Sequence, residues 1–201
     1  MTRIAVIDYG MGNLRSVAKA LERAGAQVEV EARPGPADGL VLPGVGAFPK
    51  AMERVRELGL DRLIGERVAA GVPVLGICLG MQLLFERSEE LGGGEGLGIL
   101  GGEVRRLPAD GLKLPHIGWE PVRWEREGAL CGSVASGTAF YFVHSFAPVP
   151  ADPADALGTA VHGERFVCAV ERGSVFGFQF HPEKSSAAGL ALLAAFVEAC
   201  R

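Results

Sequence analysis

The sequence predicts an α/β protein built on a doubly wound, mainly parallel sheet flanked by helices, with antiparallel hairpins at one edge. Two observations support this prediction. In the first half of the chain, short apolar runs typical of buried strands alternate with segments whose apolar residues recur at helical spacing. In the second half, glycine-rich stretches separate short alternating runs, which is typical of loops and hairpins. The length of 201 residues suits one domain with a sizeable core, so we expect residues 1–201 to form a single domain.

The first half of the chain orders its elements as β-α-β-β-α-β-α. The predicted strands are residues 3–8, 27–31, 39–42 and 73–77. The segments between 14 and 21, between 52 and 68, and after 78 carry apolar residues three and four apart, as amphipathic helices do. This order is the one expected of a doubly wound parallel sheet.

The second half of the chain changes in texture. Residues 91–102 contain seven glycines, which predicts loops and hairpins at the sheet edge. Further predicted strands are residues 139–146, 156–161, 166–170 and 175–180. Ser185 and Ser186 are expected to cap a last helix whose apolar face begins at Leu190.

The composition excludes several classes of partner. A net charge of −4 and the lack of a basic run argue against nucleic acid or an anionic membrane as the main partner. No apolar run approaches the roughly 18 residues that a membrane span needs. The N-terminus enters an apolar strand directly and lacks the layout of a signal peptide. We therefore expect a cytoplasmic protein.

The cysteines do not indicate a disulfide or metal framework. Residues 78, 131, 168 and 200 are the four cysteines, and they show neither C-x-x-C spacing nor a histidine at metal-ligand spacing. We therefore expect no metal. The turn at Gly10 and Gly12 lacks both the third glycine of a dinucleotide fingerprint and the lysine of a P-loop. It predicts a surface or partner-facing turn, and we expect no cofactor.

Residues 73–87 (PVLGICLGMQLLFER) are the stretch around which the fold is organised. They predict a strand, a tight corner at Cys78 and a helix from Leu79 to the end of the stretch. Gly76 and Gly80 flank the cysteine with the spacing of a nucleophile elbow, with sulfur in place of a hydroxyl. A thiolate at the positive end of a helix is favoured. The alternative is a buried structural cysteine, because free cysteines are among the most buried residues.

Residues 43–46 (PGVG) follow a predicted parallel strand directly. A loop with two glycines at this position can aim backbone N–H groups into the crevice where open α/β sheets bind ligands. An ordinary strand-to-helix connection explains the loop equally well when it is considered alone.

A histidine and a carboxylate follow the last predicted strand. His181 and Glu183 lie two residues apart, so on extended backbone they point to the same side. A thiol needs a base to become a nucleophile, and the base needs an acid that fixes its tautomer. Together with Cys78, both lie at carboxyl ends of predicted strands, where they could converge. The alternative is a capped strand end with solvated side chains.

These motifs resemble those of a known family. Residues 76–82 (GICLGMQ) and 177–183 (GFQFHPE) are similar to the two signatures of the class I (triad) glutamine amidotransferases, and residues 43–46 are similar to their oxyanion loop. The resemblance implies the fold of that family. It also implies that Cys78 is the nucleophile, that His181 is the general acid and base, and that Glu183 orients His181. The implied oxyanion donors are backbone N–H groups of Leu79 and of the loop Gly44, Val45 and Gly46.

Three further segments narrow the resemblance. Residues 8–14 (DYGMGNL), 115–119 (PHIGW) and 181–185 (HPEKS) resemble the glutaminase subunits of imidazole glycerol phosphate synthases, which act in histidine biosynthesis. One departure is Glu120, where we expect Asn in this group. It lies outside the triad, but it could alter a contact with a partner.

The resemblance also implies a substrate and a partner. The substrate is L-glutamine, and Gln82, one helical turn after the nucleophile, is expected to hold its α-amino acid end. His144 and Ser145 are further candidates for this task. We see no room in the chain for an acceptor domain, so the ammonia must pass to another polypeptide. By resemblance this is the cyclase subunit, a (β/α)8 barrel that forms a heterodimer with the chain. The expected docking residues are Asn13, His116, Tyr141 and Lys184.

Several expectations remain open at the sequence level. We expect residues 113–119 to form an exposed loop, with His116 structural or at an interface. We expect residues 43–46 to act as a switch through which the partner activates glutamine hydrolysis. The alternative functions are a free-standing γ-glutamyl hydrolase of the same fold, an amidotransferase subunit for a different acceptor, and an inactive scaffold. Because Asn and Gln are rare in this chain, Gln179 is also a candidate functional residue.

Overall fold

The computed structural model describes residues 1–108 and 111–201. Thirteen strands and five α-helices follow one another along these residues. In chain order they are β1 (Arg3–Ile7), α1 (Leu14–Arg23), β2 (Gln27–Glu31), β3 (Gly39–Gly44), α2 (Phe48–Glu57), α3 (Leu60–Ala69), β4 (Val74–Cys78), α4 (Leu79–Leu83), β5 (Phe85–Ser88), β6 (Gly94–Glu95), β7 (Leu100–Arg106), β8 (His116–Trp124), β9 (Thr138–His144), β10 (Phe146–Pro150), β11 (Ala156–His162), β12 (Glu164–Arg172), β13 (Val175–Phe178) and α5 (Ser186–Ala199).

A nine-stranded sheet forms the centre of the molecule, with the strand order β2-β1-β3-β4-β13-β12-β11-β8-β9. Its first five strands are parallel to their neighbours. The remaining strands pair antiparallel. The predicted doubly wound sheet with antiparallel hairpins at one edge is therefore confirmed.

Alternate residues of the buried strands face two separate cores. On β1, Ile4 and Val6 pack into one apolar cluster together with residues of α1 and α5. Ala5 and Ile7 face the other cluster, which contains buried residues of α2 and α3. Successive side chains on a strand point to opposite faces, so helices cover both faces of the sheet.

A second, four-stranded sheet has the order β10-β7-β5-β6. Two predictions were wrong here: the elbow helix does not continue beyond Leu83, and the glycine-rich segment does not form hairpins at the edge of the main sheet. The reason lies in the backbone hydrogen bonds. The carbonyls of Leu83 and Leu84, which a longer helix would use, accept N–H groups from Leu97 and Leu100, both at 2.9 Å. The chain therefore leaves the helix after five residues and enters β5.

The topology brings the ends of three neighbouring strands together. Strands β3, β4 and β13 lie side by side and parallel, so their carboxyl ends share one edge. In this register Gly44 lies opposite Cys78. The loop after β3, the elbow after β4 and the segment after β13 consequently border one crevice, as expected for open α/β sheets.

The helices are short relative to a bilayer. The longest, α5, has 14 residues. Within the described residues, no helix has both the length and the apolar composition needed to cross a membrane.

Candidate active site

Cys78 stands on a strained corner between β4 and α4. Its φ of 55° lies in the left-handed region, which residues with a Cβ rarely adopt. A Cβ at Gly80 would run into the Leu42 carbonyl, and one at Gly76 would lie 2.6 Å from the Met81 Cα. Both flanking positions therefore require glycine, because strand and helix approach each other closely here. The result is a thiol fixed at the end of β4.

Cys78 is only 6% exposed. Its Sγ lies 3.9 Å from the Val143 carbonyl, and the Gln179 amide nitrogen donates to it at 3.6 Å. Gln82 in turn donates to the Gln179 side-chain oxygen at 2.9 Å and to the Phe146 carbonyl at 3.0 Å. Gln82 and Gln179 thus form a series of side-chain hydrogen bonds that ends at the Cys78 sulfur.

His181 and Glu183 form a buried pair. The His181 Nδ1 lies 2.9 Å from the Glu183 Oε1, and the two side chains are 3% and 1% exposed. Burial alone would lower the pKa of His181, but the Cys78 thiolate and the Glu183 carboxylate outweigh it and raise this pKa to about 9. Within the described residues, the His181 Nε2 has no hydrogen-bond partner. It is the ring nitrogen left for the chemistry.

One cavity of about 360 Å³ contains Cys78 and His181 together. The structure thus brings the predicted thiol, imidazole and carboxylate to one place. The other lining residues are Val45, Gly46, Leu79, Gln82, Glu90, Pro115, Val143, His144, Ser145 and Phe146. A cavity of this size, with a few convergent polar groups, suits a small polar substrate.

The loop after β3 borders this cavity. A Cβ at Gly44 would meet the Tyr9 hydroxyl and would lie 3.0 Å from the Gly80 nitrogen, so the loop passes directly beside the elbow. Gly46 has a φ of 107°, and Val45 between the two glycines is 42% exposed. Burial and the Cys78 thiolate raise the pKa of Tyr9, which keeps its hydroxyl protonated. The predicted oxyanion segment therefore lies where its N–H groups can reach the cavity.

Glu90 is a cavity residue that the sequence analysis missed. It begins a short 3-10 turn, and its carboxylate accepts the Phe48 backbone N–H at 2.8 Å. This contact with the start of α2 fixes the carboxylate at the cavity wall. No spacing distinguishes Glu90 from the other glutamates, because its position depends on two segments that are distant in sequence.

The predicted substrate residues line the cavity, but two of them are engaged within the protein. Gln82 uses its amide nitrogen for Gln179 and Phe146. His144 contacts the Phe146 carbonyl through Nδ1 at 2.8 Å and His116 through Nε2 at 3.2 Å. Burial lowers the pKa of His144 to about 3, so its ring is neutral. Ser145, which the sequence predicted, and Glu90 add further polar groups to the wall of the cavity.

The predicted docking residues occupy two environments. The Lys184 ammonium lies 5.7 Å from the centre of the Tyr141 ring, a cation–π contact next to His181. Asn13 borders a narrow crevice that also reaches His181. His116 is only 3% exposed and begins β8, so the prediction of an exposed loop was wrong for it.

The large apolar residues that follow His116, Ile117 and Trp119, are exposed at 59% and 50%. The alternation of buried and exposed residues from His116 onward is the period of a strand. This alternation is the signal in the sequence that could have identified β8.

The model of the family described as glutamine amidotransferase class-I matches residues 5–200. The chain is 53% identical over 204 residues to the imidazole glycerol phosphate synthase subunit HisH of Moorella thermoacetica, covering 100% of this chain and 97% of that protein. It is 50% identical over 198 residues to the subunit of the same name from Aquifex aeolicus, covering 96% and 95%.

A solved structure supports the same relationship at the level of the fold. A crystal structure of a glutamine amidotransferase superposes with a TM-score of 0.75 at 22% identity and covers 98% of both chains. The family match and the alignment with relatives that are about 50% identical both extend over almost the whole sequence. The chain belongs to the glutamine amidotransferase class-I family.

Proposed function

We propose that the chain is the cytoplasmic glutaminase subunit of an imidazole glycerol phosphate synthase. It hydrolyses L-glutamine to glutamate and ammonia, and it passes the ammonia to a cyclase subunit in histidine biosynthesis. The single observation that carries this proposal is the cavity lined by both Cys78 and His181, with Glu183 hydrogen-bonded to the His181 ring. The identity of about half to proteins named HisH supports the choice of acceptor enzyme.

The first step is attack of the Cys78 thiolate on the γ-carbonyl carbon of glutamine. The carbonyl electrons move onto oxygen, and this oxyanion needs N–H donors. The N–H of Leu79, first in α4, and one from Gly44–Gly46 are the donors at this edge. Each such donor contributes about 3 kcal/mol to the transition state.

His181 then supplies the proton for the leaving group. Because its pKa is raised to about 9, the ring carries a proton at neutral pH. It protonates the departing nitrogen, ammonia leaves, and a thioester remains. The neutral ring next removes a proton from water, and the hydroxide attacks the thioester. Glutamate leaves, and the thiolate and imidazolium return.

Glu183 acts through His181 rather than on the substrate. Its carboxylate accepts the Nδ1–H, which leaves Nε2 as the nitrogen that exchanges protons with substrate and water. Without this contact the ring could rotate or carry its proton on the wrong nitrogen.

The ammonia must leave before it protonates in water. Tyr141 and Lys184 lie next to His181, and Asn13 borders the crevice behind it. We place the cyclase docking face on these three residues, with His116 beneath the surface as a supporting residue. We also propose that docking turns a peptide of the loop Gly44–Gly46 toward the oxyanion, so that hydrolysis is slow in the isolated chain.

The test is Cys78→Ala in a co-expressed complex with a cyclase subunit. Glutamine-dependent synthesis should fall by about 10³-fold or more, while synthesis from added ammonium salt should remain at the wild-type rate. Cys131→Ala is the matched control, because Cys131 is similarly buried at 5% exposure but does not line the cavity.

Retention of glutamine-dependent synthesis by Cys78→Ala would exclude the proposed nucleophile. Gel filtration shows whether each variant still forms the complex, so a broken assembly is recognised. Glutamine turnover by the isolated chain that does not rise when the cyclase and its substrate are added would favour a free-standing hydrolase instead.

A further inference from the structure

Three metal-ligating side chains meet on the antiparallel half of the sheet, outside the catalytic cavity. His116, Glu120 and His162 each offer one ligand atom, and these atoms all lie within 4.8 Å of one another. The His116 Nε2 is 3.5 Å from the Glu120 Oε1. The rings of His116 and His162 stack with their centres 4.1 Å apart. None of the three has a role in the proposed glutamine chemistry.

The strand geometry of β8 and β11 assembles this cluster. His116 and Glu120 are four residues apart on β8, so they share a face, and Gly118 between them has no side chain to separate them. Strand β11 is antiparallel to β8, with Thr159 opposite Arg123. Continuing this register by three residues in each strand brings His162 beside Glu120. Sequence spacing alone does not show this arrangement.

Hydrogen bonds define which nitrogen of His116 is available. The His144 Nδ1 lies 2.8 Å from the Phe146 carbonyl, which can only accept, so this nitrogen carries a proton. His144 is 6% exposed and lies among other imidazoles, so its ring is neutral and its Nε2 is bare. The His116 Nδ1, 3.2 Å away, therefore donates to that nitrogen. A neutral His116 then has its free electron pair on Nε2.

The free nitrogen of His116 is buried without a partner. The side chain is 3% exposed, and in the described part of the chain the Nε2 has no hydrogen bond. It faces the Glu120 carboxylate, which is also an acceptor. Two acceptors at 3.5 Å repel each other unless a proton or a metal ion lies between them.

We propose that His116, Glu120 and His162 form a binding site for a divalent transition-metal ion of the Zn²⁺ type. Two imidazole nitrogens and one carboxylate oxygen are a donor set that zinc accepts, with water in a fourth position. His162 donates its Nε2–H to the Lys113 carbonyl at 3.2 Å, which leaves its Nδ1 free for a metal. The hydrogen bond from His116 to His144 would fix the orientation of the His116 ring, as outer hydrogen bonds do for metal-bound histidines.

Binding requires a small contraction of the cluster. Zinc–nitrogen distances of about 2.0–2.1 Å place neighbouring ligand atoms roughly 3.4 Å apart in a tetrahedron. His116 is held by its ring contacts, whereas Glu120 and His162 are only half-buried and can move toward it. His162 must tilt out of its stacked position.

A bound ion would tie together strand ends that are not paired directly. Strands β8 and β11 pair at Gly158–Trp124 and Thr159–Arg123, near the end of β8 opposite to His116. The metal would join the other end. Through His116 it would also fix His144, which lines the cavity of Cys78.

The experiment is calorimetric titration of the chain with Zn²⁺ in a Cys78→Ala background, so that the active-site thiol cannot bind the metal. We expect one ion per chain with a dissociation constant in the micromolar range or below. Glu120→Gln and His162→Gln should each raise this constant at least tenfold, whereas Glu127→Gln, an exposed carboxylate outside the cluster, should not change it. Absence of binding, or loss in only one of the two ligand variants, would overturn the three-residue site.

Thermal unfolding gives a second readout on the same proteins. At a zinc concentration about 100 times the dissociation constant, the melting temperature of the Cys78→Ala protein should rise by roughly 5 °C. The Glu120→Gln and His162→Gln variants should fold and melt normally without metal, because both side chains are half-buried, and their rise with zinc should be at most about half as large. An equal rise in all variants would mean that the ion binds elsewhere.

Discussion

His181 and His144 are two buried histidines of one cavity with opposite charge states. They are 2% and 6% exposed, and each uses its Nδ1 for a contact within the protein. The pKa of His181 is raised to about 9, and the pKa of His144 is lowered to about 3. Burial lowers both pKa values, so burial cannot explain the difference.

The difference comes from the charge of the neighbouring groups. His181 lies between the Cys78 thiolate and the Glu183 carboxylate, which together stabilise an imidazolium. His144 contacts a neutral carbonyl and lies near other imidazoles, which disfavour a second positive charge. His181 can therefore exchange a proton within the cavity, whereas His144 stays neutral. In these two residues the charge of the neighbouring groups, more than the depth of burial, decides whether the imidazole is protonated.

The largest expected effect comes from removing the carboxylate beside His181. Glu183→Gln keeps the size of the side chain but loses the charge, so the pKa of His181 should fall below its wild-type value. Glutaminase kcat in the complex with the cyclase should fall on the order of 10³-fold. Steady-state glutamate release measures the rate, and NMR titration of the ring measures the pKa.

The control for this prediction is Glu198→Gln near the end of α5, where the carboxylate is exposed and far from the cavity in the fold. It should retain the wild-type rate. A rate for Glu183→Gln within twofold of wild type would show that orientation by this carboxylate is unnecessary.

A smaller effect is expected in the pH dependence of stability. The raised pKa of His181 stabilises the folded state below about 6.5, and this contribution is lost as the pH rises through about 9. The lowered pKa of His144 acts in the other direction: stability present above about 6.5 is lost as the pH falls toward 3. Each contribution amounts to a few kcal/mol at most.

Urea unfolding at a series of pH values tests the two signs separately. The stability difference between wild type and Cys78→Ala should shrink between pH 7 and pH 10, because the variant lacks the thiolate that raises the pKa of His181. His144→Asn should reduce the acid-side loss while leaving the alkaline side unchanged. If Cys78→Ala changed only the acid side of the stability curve and His144→Asn only the alkaline side, the assignment of the two pKa shifts would be wrong.

The sequence predicted the parts of the fold that follow from local periodicity. Buried strands and amphipathic helices in the first half have clear periods, and parallel strands place their carboxyl ends at one edge. This rule was enough to bring Cys78, His181 and Glu183 together before any coordinates. The roles of the three residues remain the prediction that the mutants test.

The parts that the sequence did not predict depend on contacts between distant segments. The helix after Cys78 ends early because the carbonyls of Leu83 and Leu84 accept hydrogen bonds from residues more than ten positions later. Glu90 reaches the cavity because the first N–H of α2 holds its carboxylate. His116 was assigned to a loop from the composition of residues 113–119, although the alternation typical of a strand begins at His116. No local sequence pattern predicts the contacts of Leu83 and Leu84 or the contact of Glu90 with α2.

The smallest effect expected is a ring that does not titrate. In the metal-free protein, treated with a chelator, the His144 resonances should stay constant from pH 5 to pH 8 and should show the tautomer protonated on Nδ1. The carbonyl of Phe146 requires that tautomer, and the pKa of about 3 excludes a charge change in this range. Two-dimensional NMR of ¹⁵N-labelled histidine measures both properties, and His181 in the same sample should titrate only near pH 9. A midpoint between pH 6 and pH 7 for His144 would show that the neighbouring imidazoles do not suppress its charge. The contrast with His181 would then be one of degree, because both rings would carry a proton at the mildly acidic end of the range.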